Sequence, residues 1–105
     1  MERDRFDPDD LDALDPFELD EANIPPPHKH GFTTDDLYDI RADPDAIYAP
    51  ARPDGFADWL LVGEVPGGAV LVAPLAPAVV PGKARPIGIY PVGLRLQAMY
   101  QENRR

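Results

Sequence analysis

The sequence contains no cysteine, and this absence removes several kinds of chemistry at once. Disulfide bonds, thiolate metal sites and cysteine nucleophiles are all excluded. A long apolar run is also absent, whereas a membrane-spanning helix needs about 18 or more apolar residues. The acidic first residues lack the apolar stretch of a signal peptide. We therefore expect a soluble protein of the reducing cytoplasm with no membrane partner.

Proline is abundant and limits the regular structure that the chain can form. The chain has 105 residues, of which 14 are proline. This length provides for one domain and no second core. Helices and strands should be short, because proline lacks an amide donor and breaks helix interiors. We expect a flexible acidic tail at residues 1–16, where apolar residues are few, and a single domain at residues 17–105.

Negative charge is concentrated at one end of the chain. Residues 1–21 contain ten acidic and two basic residues, a balance of −8, while the whole chain carries −9. Residues 83–105 contain five basic residues and one acidic residue, a balance of +4. The C-terminal end thus has the charge that a phosphate-binding face needs. The acidic tail could contact a basic partner or fold back over the basic end as a nucleic-acid mimic.

The hydrophobic patterns predict a small α+β domain. In chain order they indicate a short strand near Phe17, a helix at 34–42, three strands at 59–65, 69–77 and 85–91, and a final helix from Pro91 to about Glu102. The three strands form an antiparallel meander, which the short N-terminal strand extends. Two or three helices should pack against one face of this sheet. Pro74 predicts the point where the second strand leaves the ladder or lies at an edge.

Two histidines flank a lysine directly before the first predicted helix. His28 and His30 do not have the i, i+4 spacing of a helical metal pair, and no carboxylate lies at ligand spacing. We therefore expect no metal ion and no cofactor. His30 is interpreted first as a hydrogen-bonding residue of the helix cap. A role of Lys29 or His30 as a base or a cation stays open.

A series of short motifs follows the order found in one known family. The motifs are Phe17-Glu18-Leu19-Asp20, Asn23, Lys29-His30-Gly31, Thr34 to Ile40, Asp43-Pro44, Leu60 to Gly63, Ala69 to Val72, and Arg85 to Tyr100. Their order and spacing over residues 17–102 resemble the BrnT family of bacterial toxins, small ribonucleases with a RelE-like fold. The resemblance implies this fold, metal-independent cleavage of RNA as the activity, and a cognate antitoxin protein as the partner.

Candidate catalytic residues follow from the chemistry of such cleavage. Cations must stabilise charge on the phosphate, and other groups must move protons. Arginine suits the first task because its guanidinium offers two donors in a fixed fork. The candidates are Arg85 and Arg95 as phosphate clamps, Lys29 or His30 as a base or further cation, and Tyr100 as a proton donor or base-stacking residue. Tyr100 also lies on the apolar stripe of the final helix, so core packing is its alternative role.

The chain departs from the family pattern at several places. Pro25 to Pro27 interrupt a segment that is usually helical. Tyr90 and Pro91 stand where an arginine typically ends the last strand, and Arg95 is the only basic residue of the final helix before Tyr100. These departures leave an alternative open, a catalytically silent BrnT-like fold that acts as a protein interaction module. Its acidic tail would then contact a basic partner.

Overall fold

The chain forms an α+β structure with one antiparallel sheet. The computed structural model describes residues 5–19, 34–52 and 54–104. Its elements are a single 3-10 turn at Pro8–Asp10, helix α1 at Thr34–Ala42, strands β1 at Ile47–Pro50, β2 at Trp59–Glu64, β3 at Val70–Pro77, β4 at Ala84–Pro86 and β5 at Tyr90–Pro91, and helix α2 at Leu94–Arg104. The predicted α+β class is confirmed. Within the described ranges, neither helix has the length and hydropathy of a membrane span.

Strands β1 to β4 lie side by side in chain order, and each is antiparallel to the next. The predicted meander is confirmed as β2, β3 and β4, and β1 extends it beyond β2. Strands β2 and β3 are joined by a tight turn in which Gly68 has a φ of 96°. Glycine suits this turn, because residues with a side chain rarely adopt positive φ.

The last predicted strand is interrupted by a β-bulge. Leu75 pairs with Pro86 and Leu71 with Pro91, so four steps along β3 face five steps along β4 and β5. The bulge lies beside Pro74, whose carbonyl oxygen accepts an amide hydrogen bond of 3.0 Å from the bulged segment. The prediction that the strand leaves the ladder or lies at an edge at Pro74 is wrong, since β3 continues past this residue and lies between β2 and β4. Proline cannot donate a hydrogen bond to a neighbouring strand, and the bulge interrupts the regular pairing at this position, so the missing donor is tolerated.

The two helices pack on opposite faces of the sheet, which corrects the prediction that they share one face. One core joins Leu37 and Ile40 of α1 to Leu61 of β2. A second core joins Tyr100 of α2 to Val62 of the same strand. Leu61 and Val62 belong to different cores because successive strand residues point to opposite faces. The nearly continuous apolar sequence of β2 follows from burial on both sides.

The bounds of the helices agree with the sequence prediction for α1 and differ for α2. Helix α1 covers the predicted residues 34–42. Helix α2 begins at Leu94 instead of Pro91. The reason is that Pro91 pairs with Leu71 in the sheet, and the amide of Val92 still donates to the carbonyl of Val70 at 3.3 Å. The backbone therefore leaves the ladder before it can begin a helix.

The N-terminal segment, residues 5–19, lies against the end and the edge of the sheet. The Arg5 guanidinium donates to the carbonyl of Ala51 at 2.9 Å. The amide of Phe6 donates to the carboxylate of Asp58 at 3.1 Å, and the indole N–H of Trp59 donates to the carbonyl of Phe6 at 2.6 Å. The flexibility predicted for residues 1–16 concerns motion and stays a prediction. The contacts tie the beginning of this segment to the start of β2.

Candidate functional site

The predicted catalytic residues occupy three different places in the chain. Lys29 and His30 lie outside the described residues. Arg85 is the middle residue of β4. Arg95 stands near the start of α2, and Tyr100 lies in the second half of that helix.

Arg85 and helix α2 share one side of the sheet. Arg85 pairs with Ala76 of β3, and strand alternation places Ala76 on the same face as Val72. Val72 packs against Tyr100 of α2. Arg95 is exposed on this helix, and within residues 5–19, 34–52 and 54–104 no carboxylate forms an ion pair with it. The side chain of Arg85 and the helix that carries Arg95 thus lie on the same side of the sheet.

The guanidinium of Arg85 is paired with a carboxylate of the N-terminal segment. Its Nη1 lies 3.4 Å from Oε1 of Glu18, and the two side chains are only 28% and 19% exposed. The second carboxylate oxygen of Glu18 accepts hydrogen bonds from the amides of Val79 and Val80, at 3.1 and 3.0 Å. Glu18 therefore connects the loop before β4 with Arg85, which lies in β4 itself.

The backbone of the N-terminal segment positions Glu18 through a single parallel β-bridge. Phe17 bridges Ala84, where the sequence predicts a short strand. The amide of Ala84 donates to the carbonyl of Pro16 at 2.8 Å, and the amide of Glu18 donates to the carbonyl of Ala84 at 2.8 Å. Neighbouring side chains of an extended segment point to opposite sides. Phe17 therefore enters the core between α1 and the sheet, and Glu18 lies on the opposite side, next to Arg85.

A second acidic residue of this segment meets a second cation. Oδ2 of Asp15 lies 2.8 Å from Nζ of Lys83, and the hydroxyl of Tyr38 donates to Oδ1 of Asp15 at 3.0 Å. The hydrogen bond from Lys83, followed by that from Tyr38, lowers the pKa of Asp15 below its ordinary value. The ring of Tyr38 also contacts that of Phe17 edge to face, with centroids 5.2 Å apart. Both cations before and within β4 are thus met by carboxylates.

Tyr100 is buried and its hydroxyl is committed to a carboxylate. It is 0% exposed and donates to Oδ2 of Asp43. Burial, together with the hydrogen bond to Asp43, raises the pKa of Tyr100 well above its usual range. Tyr100 is therefore packed in the core, as its alternative role predicts. In the folded chain its hydroxyl is engaged in a hydrogen bond to a carboxylate.

Asp43 is the centre of a network that ties α2 to the sheet. Besides Tyr100, it accepts from the amides of Asp45 and Glu64 at 2.9 and 2.8 Å. Burial opposes ionisation of Asp43, but the hydrogen bonds and the charge of Arg104 together lower its pKa below the ordinary value. Arg104 also pairs with Asp45 at 3.5 Å and with Glu64 at 3.2 Å. The network is a structural tie between elements distant in sequence.

The residues that the sequence prediction missed are the acidic partners of these groups. The sequence prediction places Asp15 in the tail, Glu18 in the short N-terminal strand and Asp43 in the Asp43-Pro44 motif, and it gives none of them a partner. The one sequence feature that pointed to such pairing is the charge division between residues 1–21 and 83–105. It indicated a fold-back of acids onto bases but did not select the pairs.

The described residues include no group of three or more histidine, cysteine, aspartate or glutamate side chains that could hold a metal ion. The charged groups at β4 instead form ion pairs within the chain, Lys83 with Asp15 and Arg85 with Glu18. These cations bind carboxylates, and a phosphate at Arg85 would compete with the carboxylate of Glu18 for the guanidinium.

Comparison with known proteins gives no relative: no family model matches the chain, and neither the curated proteins nor the solved structures contain a match.

Proposed function

We propose that this chain is a catalytically silent BrnT-like domain of the cytoplasm that works as a protein interaction module, with its acidic N-terminal segment facing a basic protein partner. The observation that supports this most is the pairing of Arg85 with Glu18 at 3.4 Å. The arginine expected to hold phosphate is occupied by a carboxylate of the same chain. Together with the buried Tyr100, this leaves binding as the activity that the geometry supports best.

The acidic surface offered to such a partner lies on the N-terminal segment between two anchors. Asp7, Asp9, Asp10 and Asp12 are all exposed. Phe6 anchors the segment before them through Asp58 and Trp59. The last of them, Asp12, is itself the second anchor, because its amide donates to the carbonyl of Gly82 at 2.8 Å. Carboxylates held on a positioned backbone attract a basic partner and select its orientation.

The experiment that tests this function measures binding of an oligolysine peptide at low salt. The variant Asp9→Asn/Asp10→Asn/Asp12→Asn should weaken binding by about tenfold, because it removes three charges from one surface. The control Asp35→Asn/Asp54→Asn/Glu102→Gln changes the net charge equally at residues outside this segment. It should change the affinity by about threefold or less, since separated charges are screened. Equal effects of both variants would contradict a specific acidic surface.

A second candidate function is RNA cleavage as a BrnT-like toxin restrained by an antitoxin. It is favoured by the placement of Arg85 and of the helix carrying Arg95 on one side of the sheet. Expression in bacteria separates the two functions. Growth arrest that Arg85→Ala/Arg95→Ala relieves supports the toxin. Normal growth with both proteins supports the interaction module.

A further inference from the structure

Residues 15–18 contact β4 as a bound peptide would. The amide of Ala84 donates to the carbonyl of Pro16, and its carbonyl accepts from the amide of Glu18, each at 2.8 Å. Pairing of an extended segment with the outer edge of a sheet is a common mode of peptide recognition, in which backbone bonds supply affinity and side-chain pockets supply specificity. The segment that fills this edge belongs to the chain itself.

The side chains of this segment define what the edge recognises. Phe17 is the anchor, 2% exposed, and its ring contacts Tyr38. Asp15, which precedes Phe17, forms an ion pair with Lys83. Glu18, which follows Phe17, forms an ion pair with Arg85 and accepts hydrogen bonds from two backbone amides. The recognised pattern is an aromatic residue between two acidic residues on an extended backbone.

We propose that the outer edge of β4 is a docking site for an extended acidic peptide of another protein with an aromatic residue between its acids, and that residues 15–18 are a resident ligand which such a peptide displaces. The β4 edge site consists of Lys83, Arg85, the backbone of Ala84 and the amides of Val79 and Val80. It is separate from the exposed acidic surface of Asp7 to Asp12 and has the opposite charge. It therefore binds a different partner from the basic one.

The backbone pairing of the resident ligand and its ion pair at Asp15 suit displacement by a peptide that supplies its own aromatic anchor. The described residues of the segment form one isolated bridge to β4 instead of a ladder. Asp15 is 56% exposed in its pair with Lys83, and exposed ion pairs contribute little to stability. An incoming peptide of the same pattern replaces each contact that the resident loses.

The site also has structural support that does not come from the resident ligand. Strand β4 pairs with β3 at three positions, from Pro77–Ala84 to Leu75–Pro86. Ala84 and Leu75 are also buried members of the core formed with α1. When residues 15–18 leave, the amide and carbonyl of Ala84 remain positioned at the outer edge.

The test measures binding of a fluorescent peptide with the sequence of residues 5–19 to the full chain. A tethered ligand competes at an effective concentration on the order of millimolar, so the unmodified chain should bind the peptide weakly. The variant Asp15→Asn/Glu18→Gln weakens the resident ligand and keeps Phe17 in the core. It should bind the peptide about tenfold more tightly. The control Asp35→Asn/Glu102→Gln changes the net charge equally and should bind like the unmodified chain.

Two further measurements locate the site. The same peptide carrying Phe17→Ala and Glu18→Gln should bind at least about tenfold more weakly, because it lacks the anchor and the partner of Arg85. The chain variant Lys83→Gln/Arg85→Gln should lose peptide binding. Equal affinities of the three full chains, or of the two peptides, would overturn the proposal, as would full binding by Lys83→Gln/Arg85→Gln. No basic partner takes part, so these outcomes are independent of the proposed function.

Discussion

The carboxylate of Glu18 lies 3.4 Å from the guanidinium of Arg85 and also accepts two backbone amides of the preceding loop. The pair joins the most acidic part of the chain to its basic end across 67 residues. A phosphate-binding role for Arg85 would place an RNA phosphate where this carboxylate now lies. The pairing therefore favours binding by the N-terminal segment over catalysis at β4.

Removal of the Tyr100 hydroxyl should destabilise the fold. The variant Tyr100→Phe loses a hydrogen bond to a carboxylate, and Asp43 keeps its two backbone donors. We expect the free energy of unfolding to fall by about 1–2 kcal/mol, measured by urea denaturation. Leu94→Ala, at an exposed position of the same helix, should change it by less than about 0.5 kcal/mol. Equal stabilities of the unmodified protein and Tyr100→Phe would show that the hydroxyl contributes nothing.

Stability should depend on the ionisation of Asp43. Its pKa is lower in the folded protein than its ordinary value of 3.8, so the unfolded state binds the proton more tightly. The contribution of Asp43 is then fully present above about pH 5 and is lost as the pH falls through the folded pKa. The difference in unfolding free energy between the unmodified protein and Asp43→Asn should therefore shrink from pH 6 to pH 3. A difference that stays constant over this range would contradict the linkage.

Substitution of Gly63 should separate helix α1 from the sheet. A Cβ atom there would overlap the carbonyl oxygen of Ile40 and lie 3.0 Å from its Cα, and backbone cannot move aside as a side chain can. We expect Gly63→Ala to lower the free energy of unfolding by about 1–3 kcal/mol. Gly67→Ala places the same methyl group where no atom lies within 4 Å and should be close to neutral. Similar losses in both variants would show that α1 adjusts without cost.

Local sequence patterns predicted the elements that depend on local contacts. The predicted helix at 34–42 agrees with α1, whose first turn is acidic and whose end precedes Asp43-Pro44, two signals that depend only on neighbouring residues. The β2–β3 hairpin follows from two apolar runs around a glycine turn. The prediction that the helices share one face is wrong, although the unbroken apolar sequence of β2 is typical of a strand buried on both sides.

The remaining features depend on residues far apart in sequence. Phe6 meets Trp59, and Phe17 meets Ala84, through contacts that no local pattern specifies. The bulge beside Pro74 requires knowledge of the neighbouring strand. The charge division indicated that acids could cover the basic end. It could not show that Arg85 is the residue covered.

Binding of single-stranded RNA at low salt tests most directly whether carboxylates cover the cations of β4. The unmodified chain should bind weakly, and Asp15→Asn/Glu18→Gln should bind about tenfold more tightly, because two negative charges beside Lys83 and Arg85 are removed and no longer oppose phosphate. Asp35→Asn/Glu102→Gln corrects for the change in net charge and should resemble the unmodified chain. Tight binding by the unmodified chain, unchanged in Asp15→Asn/Glu18→Gln and lost in Arg85→Ala/Arg95→Ala, would contradict the account.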